Sequence, residues 1–415
     1  MNPWITLAIV TLTYIGIAIG RWPLLKSNRA TVALIGVGLL LVTRQIAFND
    51  LSRFLDFDTL ILLFAMMVIN ANLRLCGFFD LVGNALLRLA RTPRAFLAYE
   101  IVGVGLLSAL FLNDTICLMF TPLILKVSTD LKRNPVPYLI ALATAANVGS
   151  TATLTGNPQN MIVGIASGIP YLDFALALTP VALLGLGGIW LILVLFYPGE
   201  FDRQPFQHIE RDPVEYSRPA IIKNCLIVTG LLAAFLLGVP IAEAAFLAAC
   251  LMLITRRVHP HLVFAEFDWS LLVFFSGLFI ISGSLEANGL TAQLFSGLPL
   301  DQVASPWGLT AITTLLSNLV SNVPAVLLLK PLIAHLPNPV PAWLTLAAAS
   351  TLAGNLTLLG SVANLIVAET ASRWRVTLSF WEYTRAGLLI TLISLVLGTL
   401  WLQLTLWGQS LSVIL

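Results

Sequence analysis

Long apolar runs alternate with short polar ones along almost the whole chain. Eight runs are long enough, or nearly so, to cross the apolar layer of a bilayer as helices: 4–20, 30–48, 58–75, 175–197, 221–238, 241–255, 268–286 and 386–407. Four regions break this regularity. Residues 95–127 and 303–336 each consist of two apolar legs around a polar tip, Leu112-Asn113-Asp114-Thr115 in the first and Ser321-Asn322-Val323-Pro324 in the second. Legs of about 16 residues are short for a crossing that must also hold a polar tip, so each region predicts a re-entrant hairpin. Residues 136–170 and 342–371 carry polar, glycine-containing stretches at mid-length, and each predicts a helix broken inside the membrane.

The two broken helices share one motif. Thr153-Leu154-x-Gly156-x-x-x-Asn160-x-Ile162-Val163 returns as Thr357-Leu358-x-Gly360-x-x-x-Asn364-x-Ile366-Val367. Other blocks match as well: Phe57-Asp58 with Phe64 against Phe267-Asp268 with Phe274, and Asn113 with Pro122 against Asn322 with Pro331. The chain therefore reads as two repeats, 1–199 and 221–415, joined by a polar linker at 200–220. Non-helical backbone at membrane depth survives only where it is buried or lines a cavity. Interrupted apolar segments at corresponding places in two halves point to the binding site of a transporter.

Composition agrees with a membrane fold. The 415 residues are 58% hydrophobic and only 10% charged, against roughly 25% charged in soluble domains. The expected class is an all-α polytopic membrane protein with about 10 transmembrane helices and two re-entrant hairpins. The N-terminal run lacks a basic stretch before it and reads as a first span, not a cleaved signal. A net charge of +2 and the lack of basic runs with interleaved aromatics argue against nucleic acid as a partner. Cys76, Cys117, Cys225 and Cys250 lie far apart without a CxxC, so neither a disulfide scaffold nor a zinc site is expected.

Charge also orients the chain. With both hairpins returning to their own side, 19 of the 22 Lys and Arg residues fall in loops on one face. The positive-inside rule makes that face cytoplasmic and both termini external. The second half then starts from the opposite side to the first, so the repeats are inverted. Such repeats suit alternating access around a site near the midplane.

The tips and breaks hold most of the chemistry. From the first half come Asn113, Asp114, Thr115, Asn147, Ser150, Thr151, Thr153, Gly156, Asn157 and Asn160. From the second come Ser317, Asn318, Ser321, Asn322, Asn355, Thr357, Gly360, Ser361 and Asn364. Helix N-termini at a break offer free N–H groups to anions. Carbonyls at the opposing ends, with Asn, Ser and Thr oxygens, can hold Na⁺; Asn113, Asp114 and Asn322 are the residues expected at such an ion. Gly156 and Gly360 are expected to let the chain leave the helix without a Cβ penalty. Asp114 is the sharpest single residue, because an acid at membrane depth faces a cavity or a partner. Lys330 either attracts an anion or snorkels to the interface. Asp58 and Asp268, at matching span starts, are expected to cap their helices. Glu100, in a hairpin leg, is a weaker candidate.

These residues resemble the ion transporter superfamily, which includes arsenite/antimonite efflux permeases, NhaD-type sodium/proton antiporters, citrate–metal symporters and divalent anion/sodium symporters. Ala109-Leu110-Phe111-Leu112-Asn113-Asp114 with Phe120-Thr121-Pro122 is similar to the first hairpin of the arsenite-permease branch. Ser321-Asn322-Val323-Pro324-Ala325-Val326 is similar to the second hairpin, and Gly354-Asn355-Leu356-Thr357-Leu358-Leu359-Gly360-Ser361 to the second broken helix. Gly156-Asn157-Pro158-Gln159-Asn160 resembles a stretch of the NhaD-type and citrate branches. The tips depart from the paired Ser-Asn-Thr of the divalent-anion symporters. The resemblance implies secondary active transport in an inner cell membrane, coupled to Na⁺ or H⁺, without a cofactor. It alone implies a homodimer.

The expected function is therefore alternating-access transport of a small inorganic or organic anion or oxyacid. The alternatives are an NhaD-type Na⁺/H⁺ antiporter, an arsenite/antimonite efflux permease and, from a different class, a channel. An enzyme is not expected, since neither HExxH nor GxSxG occurs.

Overall fold

The computed structural model describes residues 2–19, 28–201, 216–255, 258–291, 293, 305–336 and 338–407. Most of the expected linker at 200–220, as well as Met1 and residues 408–415 at the chain ends, lies outside them. Among the described residues there are helices and no strand. The first repeat contains α1 (Pro3–Ile19), α2 (Arg29–Val42), the single turn α3 (Leu51–Phe54), α4 (Phe57–Leu75), α5 (Phe78–Leu89), α6 (Pro93–Leu110), α7 (Asn113–Asp130), α8 (Pro135–Ser150), α9 (Pro158–Ser167) and α10 (Tyr171–Phe196). The second contains α11 (Arg218–Leu236), α12 (Ile241–Leu253), α13 (Pro260–Ala265), α14 (Trp269–Ala287), α15 (Pro306–Val320), α16 (Asn322–Ala334), α17 (Pro339–Ala353), α18 (Val362–Arg373) and α19 (Phe380–Leu402).

Each predicted hairpin is a helix pair, α6/α7 and α15/α16, and each predicted broken helix is a pair of half-helices, α8/α9 and α17/α18. Local signals set the ends. Thr92, Asn134, Asn157, Ser305 and Ser361 cap α6, α8, α9, α15 and α18 by accepting a backbone N–H. Pro93, Pro135, Pro158, Pro306 and Pro339 open their helices, where a missing N–H costs nothing. The hairpin legs are longer than expected on the first side: α6 and α7 each have 18 residues, about 27 Å of helix. The α6 leg is by itself long and apolar enough to cross a membrane.

Contacts fix two opposite faces. On one, the Arg94 side chain donates to the Phe201 carbonyl at 2.6 Å, Arg133 to the Glu200 carbonyl, and the Tyr138 hydroxyl to Glu200 Oε1 at 3.2 Å. The entry of α6 and the exit of α7 thus meet at the end of α10, so the first hairpin returns to its own side. Arg74 pairs with Glu266 on a basic loop pair of the same predicted face. On the opposite face Trp307 donates to Gln403 and Asn288 to the Gln45 carbonyl. Helices α10 and α19, the last of each repeat, run antiparallel: Tyr197 meets Glu382 and Trp401 meets the Ala177 carbonyl. The repeats are inverted.

Two sequence expectations need correction. The stretch between the predicted span 58–75 and the predicted hairpin 95–127, assigned no element from the sequence, contains the amphipathic α5, whose Leu86 packs at Gly103 and whose Gly83 faces Leu123. Its polar residues hid a helix too short to read as a span. Asp268 does cap its helix, but in the first repeat the cap is Asp56, which accepts the Thr59 N–H at 3.1 Å; Asp58 lies inside the first turn. The true register equates Asp56 with Asp268, and α4 and α14 then match over 19 residues each. Both end at a left-handed glycine in the same place, Gly77 and Gly289.

The centre of the molecule is the inner pair of half-helices. Residues 137–150 of α8 and 341–353 of α17 are buried throughout. Helix α8 lies so close to α6 that a Cβ on Gly149 would sit 2.3 Å from the Gly105 carbonyl oxygen and 2.4 Å from its Cα.

Candidate functional site

The two breaks hold each other. The Asn147 side chain on α8 uses all four of its hydrogen-bonding positions. Its Oδ1 accepts from Asn113 Nδ2 at 3.0 Å and from Ser361 Oγ at 3.1 Å; its Nδ2 donates to Asn355 Oδ1 at 2.9 Å and Asn364 Oδ1 at 3.1 Å. On α17, Thr351 Oγ1 accepts from Asn157 Nδ2 at 3.3 Å and Gln159 Nε2 at 3.2 Å and donates to Asn160 Oδ1 at 3.4 Å. The spacing that carries Thr153 onto Thr357 also carries Asn147 onto Thr351, Asn157 onto Ser361 and Asn160 onto Asn364. The contact is therefore reciprocal: one position of each repeat grips the same two positions of the other.

The motif asparagines finish the breaks from within. Asn160 Nδ2 lies within hydrogen-bonding reach of the carbonyls of Ser150, Thr151 and Thr153, and Asn364 Nδ2 reaches those of Gly354 and Thr357. These are the carbonyls that an ended helix leaves orphaned. Both asparagines are fully buried, so their amides brace the break. Asn157 and Ser361 start the second half-helices as caps, and Ser150 Oγ closes on the Asn147 carbonyl. Thr151 also lies within reach of that carbonyl, and the Thr153 hydroxyl bonds to the Ala109 carbonyl.

The glycines act differently from expectation. Neither Gly156 nor Gly360 has a positive φ. They permit close approach instead: a Cβ on Gly156 would meet the Ser150 carbonyl at 2.5 Å, and one on Gly360 the Gly354 carbonyl at 2.8 Å. The left-handed residue is Ser321, at the second tip, with φ 82° and ψ 162°. That region suits glycine almost alone. Ser321→Gly should raise the thermal midpoint by relieving about 1–3 kcal/mol of strain; an unchanged or lower midpoint counts against strain at this tip.

The tips meet the breaks. The Asn113 N–H donates to the Gly156 carbonyl at 3.0 Å, and Asn322 Nδ2 would lie 3.0 Å from a Cβ on Gly354. Asn113 and Asn322, expected close together, are thus joined through Asn147, Asn355 and Gly354. Asn113 is held by Asn147, whereas the matching partner of Asn322 is the shorter Thr351, to which it makes no hydrogen bond. Around each tip lie buried oxygens without a partner: Ser108 Oγ and Asn113 Oδ1 in the first repeat, Ser317 Oγ, Asn318 Oδ1 and Asn322 Oδ1 in the second. Ser108 and Ser317 each stand five residues before the tip asparagine.

A cavity of about 130 Å³ reaches the first tip from the face that carries Arg74. It is lined by Asn70, Arg74, Asp114, Thr115, Glu266 and Asp268, and by Pro158 and Val362, the first residues of α9 and α18. Thr115 Oγ1 accepts from Asn70 Nδ2 at 3.3 Å. The charged neighbours of Asp114 are Asp268 and Arg29. Lys330 lies elsewhere, in a separate cavity of about 330 Å³ on the opposite face with Arg53, Asp56, Glu286 and His335. Asn70, Arg74 and Glu266 carried no sequence signal, because they belong to neither a tip nor a break. Thr351 could have been found by applying the repeat spacing to Asn147.

Known proteins resemble this chain in sequence and in fold. A solved structure of the YdaH transporter of Alcanivorax borkumensis has the same fold, with TM-score 0.57 at 14% identity over 97% of this chain and 98% of that one. The silicon efflux transporter LSI3 of Oryza sativa subsp. japonica is 31% identical, covering 91% of this chain and 92% of its own. An uncharacterized transporter of Mycobacterium tuberculosis is 29% identical over 91% of this chain and 94% of its own. The family model described as citrate transporter, CitMHS, matches residues 14–349. The chain belongs to this citrate transporter family of membrane transporters.

Proposed function

We propose that the protein is a secondary active transporter that moves a small, undissociated oxyacid, coupled to a cation gradient of Na⁺ or H⁺. The observation that carries this reading is the charge of the cavity at the first tip. Three carboxyl side chains, Asp114, Glu266 and Asp268, line it with one arginine that is already paired with Glu266, and Arg29 is the further cation beside Asp114, so carboxyls outnumber arginines three to two. A multiply charged anion would meet like charge there, which costs affinity. A neutral oxyacid meets none. Its O–H groups can donate to the carboxylates, and its oxygens can accept from N–H groups at the starts of α9 and α18. A volume of about 130 Å³ suits a solute of few heavy atoms, given about 30 Å³ per water in the liquid. The silicon efflux named for the rice relative supports the same class.

The partnerless oxygens of Ser108, Asn113, Ser317, Asn318 and Asn322 are hard ligands of the kind that hold Na⁺ at broken helices. Asp114 supplies the charge that pairs with the ion or carries the proton. The basic face with Arg74 is placed in the cytoplasm and both termini outside.

The test is flux of silicic acid in proteoliposomes with Na⁺ and pH gradients imposed separately. One gradient should drive accumulation in the wild type, and a folded Asp114→Asn protein should lose that coupling, since an amide can neither release a proton nor supply a full charge. Wild-type coupling in Asp114→Asn, or steady flux indifferent to both gradients, would remove the reading. The same tip chemistry favours a second reading, Na⁺/H⁺ exchange without a solute. Ion exchange with no silicic acid movement selects it.

A further inference from the structure

The cavity of Lys330 and the cavity at the first tip are one cavity made twice. In the register that equates Asp56 with Asp268, every α4 position lining the tip cavity has its match on α14 in the other. Met67 pairs with Phe279, Asn70 with Ser282, Ala71 with Gly283 and Arg74 with Glu286. Asp268 and Asp56 each line their own cavity. So do Leu118 and Leu327, which stand at the same distance after the tip asparagines. Inverted repeats carry the two copies to opposite faces.

The copies are in different states. The tip cavity descends to Asp114, Thr115 and the starts of α9 and α18, whereas the other is lined by no residue of a tip or a break. Leu118 is 39% exposed and Leu327 only 3%. Asp114 and Thr115 are half-buried, while the matching Val323 and Pro324 are buried. Helix α14 packs against α16, whereas α4 hardly touches α7. A latch accompanies the closed copy. Pro331 has no N–H, so the Leu327 carbonyl one turn earlier loses its helical donor. Ser282 Oγ on α14 donates to that carbonyl at 3.4 Å. In the open copy Pro122 frees the Leu118 carbonyl in the same way, but Asn70, at the place of Ser282, bonds Thr115 instead.

We propose that the cavity of Lys330 and Glu286 is a second binding site for the small oxyacid, at the opposite mouth of the path, shut off from the second tip by Leu327 and Phe279 and latched by Ser282. One repeat sequence adopts an open and a closed form in one molecule, so both forms belong to the fold. Exchanging them between the repeats closes the tip cavity and carries the Lys330 cavity down to Asn322. The mouth suits the solute by its charge. Two cations, Arg53 and Lys330, face two carboxyls, Asp56 and Glu286, so a neutral oxyacid finds donors and acceptors without a net opposing field. Among the described residues Arg53, Lys330 and Glu286 form no ion pair that would occupy them. The choice of solute rests on the reading of the tip cavity; the gate does not.

Single cysteines test the gate without any solute. They are placed in a chain whose four natural cysteines are alanine, and labelled in oriented proteoliposomes with a membrane-impermeant maleimide. Glu286→Cys should label only from the face opposite Arg74. Leu118→Cys should label from the Arg74 face roughly tenfold faster than Leu327→Cys from the other, in line with their exposures. Leu118→Trp, a wedge in the open copy, should slow labelling of Leu327→Cys severalfold, and Ser282→Ala should speed it; Leu106→Trp, on the exposed face of α6, controls for bulk. Phe279→Cys repeats the series should Leu327→Cys fail to fold. Labelling of Glu286→Cys from the Arg74 face would overturn the placement. A Leu327→Cys rate indifferent to Leu118→Trp and Ser282→Ala, or slowed equally by Leu106→Trp, would overturn the gate. Binding is read from silicic acid flux: Lys330→Gln and Glu286→Gln should raise KM severalfold more for entry from their own face than from the Arg74 face. Equal shifts from both faces would overturn the site. A protein that labels as expected but moves no silicic acid keeps the gate and loses the solute.

Discussion

Asn147→Ala is expected to be among the most damaging conservative truncations in the chain. The alanine removes four hydrogen bonds at once, to Asn113, Ser361, Asn355 and Asn364. A single side-chain bond in a membrane protein is worth about 0.6 kcal/mol on average, and about 1 kcal/mol in proteins generally, so the loss should reach about 2–4 kcal/mol. The partners are buried, so they cannot turn to water for compensation. The first tip and the second break should both loosen, because Asn147 is the atom-level link between them. Thermal unfolding of purified, monodisperse protein measures the first effect and silicic acid flux the second. A midpoint and flux equal to wild type would mean that the cross-repeat contact is incidental.

The second large effect belongs to Gly149. A methyl group there would sit 2.3–2.6 Å from the backbone of Gly105, and backbone cannot swing aside as a side chain can. Helices α6 and α8 would have to separate along their whole contact. Overpacking of this kind costs about 1–3 kcal/mol where side chains can yield, and more where they cannot. Gly149→Ala should therefore give little folded protein. Gly187→Ala is the matched control. It lies on α10 with nothing within 4 Å of the added carbon, and a helical glycine replaced by alanine should gain about 0.5–1 kcal/mol. Similar yields and midpoints for the two variants would refute the close-approach account. The same logic ranks Gly156 and Gly360, which face backbone carbonyls, above Gly185 and Gly398, which face the side chains of Val148 and Val181.

The hydrophobic pattern carried most of the fold, because a chain in lipid must make its spans apolar. The broken helices at 136–170 and 342–371 were legible from the repeated Gly-x-x-x-Asn. Helix α5 was not, since a short amphipathic helix shows only one apolar stripe. The α4 and α14 register misled because Phe-Asp occurs in both repeats, but its Asp is the cap in the second and lies two residues past the cap in the first. For the site, residue types were legible and partners were not. Asn160 and Asn364 promised ligand chemistry, yet their amides are taken by carbonyls of their own break. Nothing local announces that Asn147 will bond across 217 positions to Asn364. Thr351 escaped notice because the other repeat uses asparagine in its place. Arg74 and Glu266 meet only after both halves have folded.

The reciprocal grip of Asn147 and Thr351 has a consequence for biogenesis. The ribosome delivers α8 and α9 to the membrane long before residue 351 exists. Until then the amide of Asn147 and the hydroxyl-seeking groups of Asn157, Gln159 and Asn160 have no partner from the other repeat. The nascent first half waits with its break incompletely bonded until α17 and α18 arrive. Maturation is then a docking event between two finished but unsealed halves, and the membrane seals around the polar centre only at its close.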